Sequence, residues 1–278
     1  MSERRASAGE MVSTAAEAGG NVAGAVLGAL FVGPDGAVAG AAISPPVAWA
    51  LKRAVVQIRG WVGGRQIERV SETIKVAATD IEQHLSDGGQ ITGFFASVGD
   101  EGSDAEEIAE GILQAAAFAY EQRKTSYLGH LLASIAIRGD IHLADAHRLT
   151  GLVRDLSYRQ LACLSAIGSG EAKIDTIQAG VMISLAKRDR MSAGIAEEVE
   201  ELSNTHDLIG NRDSAQAGDI ATSSGITLGH RTLPRSLALT ERGYFLFELL
   251  RLDTLPRDDR RAVVAELLGM DVPEAEAI

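Results

Sequence analysis

Gly20, Gly24 and Gly28 stand four residues apart in the stretch GGNVAGAVLGALFVGPDGAVAGAAISPPVAWALKR, residues 19–53. On a helix that spacing puts the three glycines on one face and strips it of side-chain bulk, so a second helix can approach closely. Gly36 and Gly40 repeat the spacing, and Ala41 and Ala42 widen the small-residue face. Gly33-Pro34-Asp35-Gly36 separates two arms, because proline and glycine end one helix and reverse the chain. Pro45-Pro46 is expected to kink or break the second arm. Residues from about Ala15 to Leu51 are therefore expected to form a small-residue helical hairpin.

A spanning helix needs about 20 mostly apolar residues. The first arm, Asn21 to Gly33, supplies thirteen and the second, Gly36 to Leu51, sixteen. Arg4 and Arg5 precede the hairpin and Lys52 and Arg53 follow it, a distribution that holds both ends in the cytoplasm with Asp35 at the far tip. A re-entrant hairpin, stabilised by partner hairpins, is thus expected rather than a single span. Lys52, Arg53, Arg59, Arg65 and Arg69, set against Glu68 alone, form a basic run that an anionic membrane surface attracts. The alternative is an Ala/Gly hairpin buried in a helical bundle. The segment resembles the glycine-zipper segments of bacterial membrane-associated proteins, which implies membrane contact and self-association.

The net charge of −12 is unevenly placed. Residues 1–70 carry seven basic and five acidic groups, whereas residues 71–150 carry five and thirteen. An acidic body argues against non-specific nucleic-acid binding. Aromatic residues make up only 4% of the chain, so the core must be built from Ala, Leu, Ile and Val, a mix that favours closely packed helices. Cys163, the single cysteine, sits among Leu161, Ala162 and Leu164 and is expected to be a buried structural thiol in a reducing compartment. Glu10 and Glu17 interrupt what a signal peptide would need as its apolar stretch.

From Val55 to Leu85, apolar residues recur at helical spacing and predict one long helix, ended by Ser86-Asp87-Gly88-Gly89. Asp104 is expected to cap the next helix, with Glu106 and Glu107 in its first turn. Thr125 or Ser126 is expected to cap the one after, TSYLGHLLASIAI. The order of an LLAS stretch (Leu131 to Ser134), a loop, a short helix and LSYRQL (Leu156 to Leu161) resembles the core of the bacterial abortive-infection alpha family. That resemblance implies a role in phage defence and brings no catalytic residues. His142 and His147, with Asp140 and Asp145, invite a metal reading. Their i to i+5 spacing does not place both imidazoles on one helical face, so helix-start and surface roles are expected instead.

Ser157 to Gln160 reads as a capping box opening a helix to Ile167. Further helices are expected from Asp175 to Lys187 and from Ser192 to Ile209, followed by β-like pieces at Gly225–Leu228 and Ser236–Leu239. Thr240 then caps a helix beginning LTERG. Three helices, a hairpin and Leu-Thr-x-x-Gly opening a last helix resemble a winged-helix domain, which implies DNA binding through the third helix. Here that helix carries Glu197, Glu198, Glu200 and Glu201, which phosphates would repel, against Arg231 and Arg235 in the wing. A protein-sensing module is expected in its place. Beyond it, Asp258 to Leu268 reads as a short surface helix before an acidic end.

The expected architecture is mainly α: a hairpin segment (1–53), a helical domain (54–153), a winged-helix-like domain with a short β-hairpin (154–252), and a C-terminal helix with its tail (253–278). No Walker A, G-x-S-x-G, H-E-x-x-H or C-x-x-C motif is present, so no enzyme, cofactor or metal is expected. The function expected is that of a bacterial effector or accessory protein at the inner membrane, self-associating through its hairpin and sensing a protein partner. The alternative is a soluble winged-helix regulator binding DNA or a partner protein.

Overall fold

A computed structural model describes residues 45–58, 62–96, 104–170, 190–211, 226–228, 231–233 and 237–268. The protein is mainly helical and divides into two units, Met1–Asp155 and Leu156–Ile278.

In the first unit, α1 (Pro45–Ile58) begins on the proline pair expected to break a helix. Proline at the first helical position has no unmet cost, because its missing N–H would lack an intrahelical acceptor anyway. Val47, Ala48, Ala50, Leu51, Ala54, Val55 and Ile58 form the buried side of α1. Lys52 and Arg53 therefore lie inside a helix, and the boundary expected at residue 53 falls within an element. The single helix expected from Val55 to Leu85 is also two: α1 ends at Ile58, and α2 (Gly64–Ser86) begins after Gly63. Gly63 and Gly64, each poor in helix propensity, lie at the break. The Gln66 side chain accepts the Gly63 N–H and closes the start of α2.

The far end of α2 is stopped by Gly88, whose φ of 84° a residue with a β-carbon rarely adopts. A 3₁₀ turn at Gly93–Phe95 follows and buries Phe95. α3 (Asp104–Ala117) starts at Asp104 itself, with three carboxylates in its first turn facing the positive end of the helix dipole. It leads through a 3₁₀ turn (Gln122–Lys124) into α4 (Thr125–Ile137). That turn takes the place of the expected Thr125 or Ser126 cap: the Thr125 hydroxyl donates backwards to Gln122 O at 2.7 Å. α5 (Leu143–Asp155) closes the unit.

Its core joins α2 to α4 and α1 to α3. The α2–α4 contact is close because Gly129 lies against α2, where a β-carbon would fall 2.7 Å from Thr73 O and from Val76 Cβ. Thr73 Oγ1 donates to Thr125 O at 3.0 Å across the same seam. Close packing over a small residue, the device expected of the N-terminal glycines, operates at this seam.

In the second unit, α6 (Tyr158–Gly168) opens on the expected capping box: Gln160 N donates to Ser157 Oγ at 3.0 Å, and Ser157 N to Gln160 Oε1 at 2.8 Å. α7 (Arg190–Glu200) passes into a π-helical turn at Glu201–Thr205, so the helix expected to reach Ile209 stops short. Its expected end is instead strand β1 (Ile209–Asn211). β2 (Ile226–Leu228) and β3 (Arg231–Leu233) pair with Thr227 opposite Thr232, and β4 (Leu237–Leu239) pairs with β1, Gly210 opposite Ala238. The two expected β pieces therefore each take a different partner rather than each other. α8 (Glu241–Leu249), a 3₁₀ turn (Leu252–Thr254) and α9 (Arg257–Leu268) complete the unit. α9 packs on α6 and buries Val263 and Leu267, so it belongs to the core and is no surface appendage beyond residue 252. The helix expected at Asp175–Lys187 lies outside the described residues.

Candidate functional site

The five glycines of the expected hairpin, Gly20, Gly24, Gly28, Gly36 and Gly40, lie outside the described residues, as do Arg59 and Arg235. Of the basic run, Lys52 and Arg53 sit on the outward side of α1 and Arg65 is exposed in the first turn of α2. Arg53 is also tied into the fold. Its Nε lies 3.7 Å from the carboxylate of buried Glu106 on α3, and its guanidinium lies over the Trp49 ring, 5.7 Å from the centroid. A guanidinium stacked on an aromatic face keeps its apolar plane covered and its edges available to acceptors. Among the described residues, no helix is long and apolar enough to cross a membrane.

The residues that invited a metal reading are not brought together. His147 Nε2 faces Glu107 on α3 at 3.3 Å, while Asp140 takes a two-pronged hydrogen bond from Arg138 at 2.9 and 3.1 Å. That guanidinium holds the Asp140 carboxyl below the usual carboxylate range. Among the described residues, no group of three or more His, Cys, Asp or Glu could hold a metal ion. Cys163 is fully buried in α6, and burial pushes its thiol far up, away from the reactive thiolate form.

In the second unit, two of the glutamates read as an acidic face are engaged by side chains of α6. The first turn of α6 presents Tyr158, Arg159 and Gln160, and each engages a carboxylate. Tyr158 Oη donates to Asp259 of α9 at 2.7 Å. Arg159 meets Glu198 of α7 at 3.4 Å and Glu266 of α9. Gln160 Nε2 donates to Glu201 at 2.8 Å. Glu198 and Glu201 thus fasten α7 and the π-helical turn that follows it to α6. Arg231 stands on β3, opposite Leu228.

Three features escape a reading of sequence because their partners are distant along the chain. Arg159 gathers α6, α7 and α9 and carries no local signature. His130 Nδ1 of α4 lies 2.5 Å from Asp80 of α2, with both side chains largely buried. Lys124 is buried, and its ammonium donates to Arg154 O at 2.6 Å in the last turn of α5. Burial lowers its pKa to about 8. The carbonyl ends of a helix attract a cation, so Lys124 acts as a long-range cap for α5.

The chain matches no protein-family model, and no curated protein or solved structure is significantly similar to it.

Proposed function

We propose that this chain is a bacterial membrane-associated effector or accessory protein, with an abortive-infection-like part in phage defence. In this reading the Gly/Ala run enters or lies on the inner membrane from its cytoplasmic side. Gly20, Gly24, Gly28, Gly36 and Gly40 let hairpins of several copies pack together, and the second unit recognises a protein partner. One observation carries the proposal. Residues 18–44 contain a single charged side chain, Asp35, and immediately precede in sequence α1, whose buried face packs on α3. Cell fractionation tests this: the protein should pellet with membranes and resist a salt wash. Recovery as a soluble monomer would count against it.

A second reading, a soluble winged-helix regulator, draws support from the second unit. The strand after α7 pairs with the strand before α8, with a separate β-ribbon between them in sequence. The ion pair of Glu198 with Arg159 also offsets part of the charge that would repel a phosphate backbone. Salt-sensitive binding of the full chain to duplex DNA would favour this reading. The acidic balance of the chain and the exposed Glu197 favour a protein partner instead.

A further inference from the structure

The outer face of α1 is as regular as its buried one. With 3.6 residues per turn, the seven buried residues from Val47 to Ile58 occupy one side of the helix. Trp49, Lys52, Arg53 and Val56, at i, i+3, i+4 and i+7, occupy the other. Trp49, Lys52 and Arg53 are partly exposed, and Val56 is 63% exposed. No acidic residue occurs in α1.

We infer that this face of α1 lies on an anionic lipid surface as an interfacial helix. Trp49 and Val56 sit at the boundary between headgroups and acyl chains, and Lys52 and Arg53 meet the lipid phosphates. The inference rests on the membrane reading above and adds to it the face and the residues that touch lipid.

Three observations select lipid as the occupant. Chain order is the first: in residues 18–53 the only charges besides Asp35 are Lys52 and Arg53, so the first cations after the apolar run fall on this face. Side-chain chemistry is the second. An indole, two cations and an aliphatic residue on one stripe match an interface where aromatic rings sit at headgroup level and basic groups meet anionic lipid. The third is length. Fourteen residues extend about 21 Å, short of the roughly 30 Å hydrocarbon core, and the opposite face is occupied by α3. Such a helix can lie along a bilayer but not cross it.

The test uses the full chain carrying Trp61→Phe, which leaves Trp49 as the only tryptophan. The probe is vesicles containing phosphatidylglycerol and lipid brominated near the headgroup end of the acyl chain. Trp49 emission is expected to shift to shorter wavelength and be quenched, more strongly than on phosphatidylcholine alone. Lys52→Glu and Val56→Gln, both on the outward side and so compatible with folding, are each expected to cut the quenching severalfold. Unquenched Trp49 on protein that has pelleted with the vesicles would overturn the α1 contact and leave the membrane reading standing. Quenching that neither variant reduces would overturn the assigned face too, because Trp49 would then reach lipid without help from Lys52 or Val56. Protein that stays in the supernatant would overturn both.

Discussion

Gly243, in the first turn of α8, lies so close to Leu208 that a β-carbon on it would fall 1.9 Å from the Leu208 carbonyl oxygen. Thr240 completes the junction. Its hydroxyl accepts from Gly243 N at 3.0 Å and donates to Asp207 O at 2.6 Å, and its backbone N–H donates to Leu208 O at 3.1 Å. The Leu-Thr-x-x-Gly signature is thus a fastening between the residues leading into β1 and the start of α8. Threonine supplies the cap, and glycine supplies the space. Gly243→Ala is expected to destabilise the second unit by about 1–3 kcal/mol through overpacking against backbone. Thr240→Ala should cost about 1 kcal/mol through loss of the cap. Denaturant unfolding of the two variants measures both, and an unchanged midpoint for Gly243→Ala would refute the fastening.

Gly129 and Gly151 form a second contrast. Both are helical, but a β-carbon at Gly129 would meet Thr73 O and Val76 of α2 at 2.7 Å, whereas one at Gly151 meets nothing within 4 Å. Gly129→Ala should lower the stability of the first unit by about 1–3 kcal/mol. Gly151→Ala should raise it by roughly 0.5–1 kcal/mol, because alanine loses less backbone entropy in a helix. Thermal unfolding that moved in the same direction for both would contradict this account of the α2–α4 seam.

Lys124 links stability to pH. Burial lowers its pKa from 10.5 to about 8 in the folded chain. Below pH 8 the ammonium is charged in both states, and its desolvation cost is borne in full by the folded state. Between pH 8 and 10.5 the unfolded chain binds more protons, so this residue makes stability rise with pH. Lys124→Met lacks that term. The unfolding free energy of the wild type relative to Lys124→Met should therefore be greater near pH 10.5 than below pH 8. A difference that stayed flat, or fell, across that window would show that Lys124 is not held as described.

Local devices were legible in the sequence. The Ser157–Gln160 box and the Thr240 cap each close within three residues, a distance set by helix geometry alone. The burial of Cys163 followed from its apolar neighbours. What stayed hidden depends on packing between distant segments. Nothing near Arg159 announces that Glu198 and Glu266 will converge on it, 39 and 107 residues further along the chain. A count of glutamates on α7 does not reveal that Glu198 pairs with Arg159. Pro45-Pro46 reads in the sequence as a break, yet it opens α1. Only the docking of the residues that follow on α3 makes it a start.

For the hairpin, Gly24→Leu should fill the small-residue face and reduce chemical crosslinking between copies, while leaving the unfolding transition of the helical body unchanged. If the function is abortive-infection-like, the same substitution should abolish toxicity on overproduction. Wild-type crosslinking and toxicity in this variant would remove the glycines from the mechanism.

The central claim, that the apolar run preceding α1 brings this protein to a membrane, is tested most directly by flotation of the full chain with phosphatidylglycerol-containing vesicles in a density gradient at high salt. The account predicts that the protein floats with the lipid, because burial of the Gly/Ala run does not depend on charge, and that Val26→Glu, which places a carboxylate in the first arm, sinks. Wild-type protein remaining at the bottom of the gradient would contradict it.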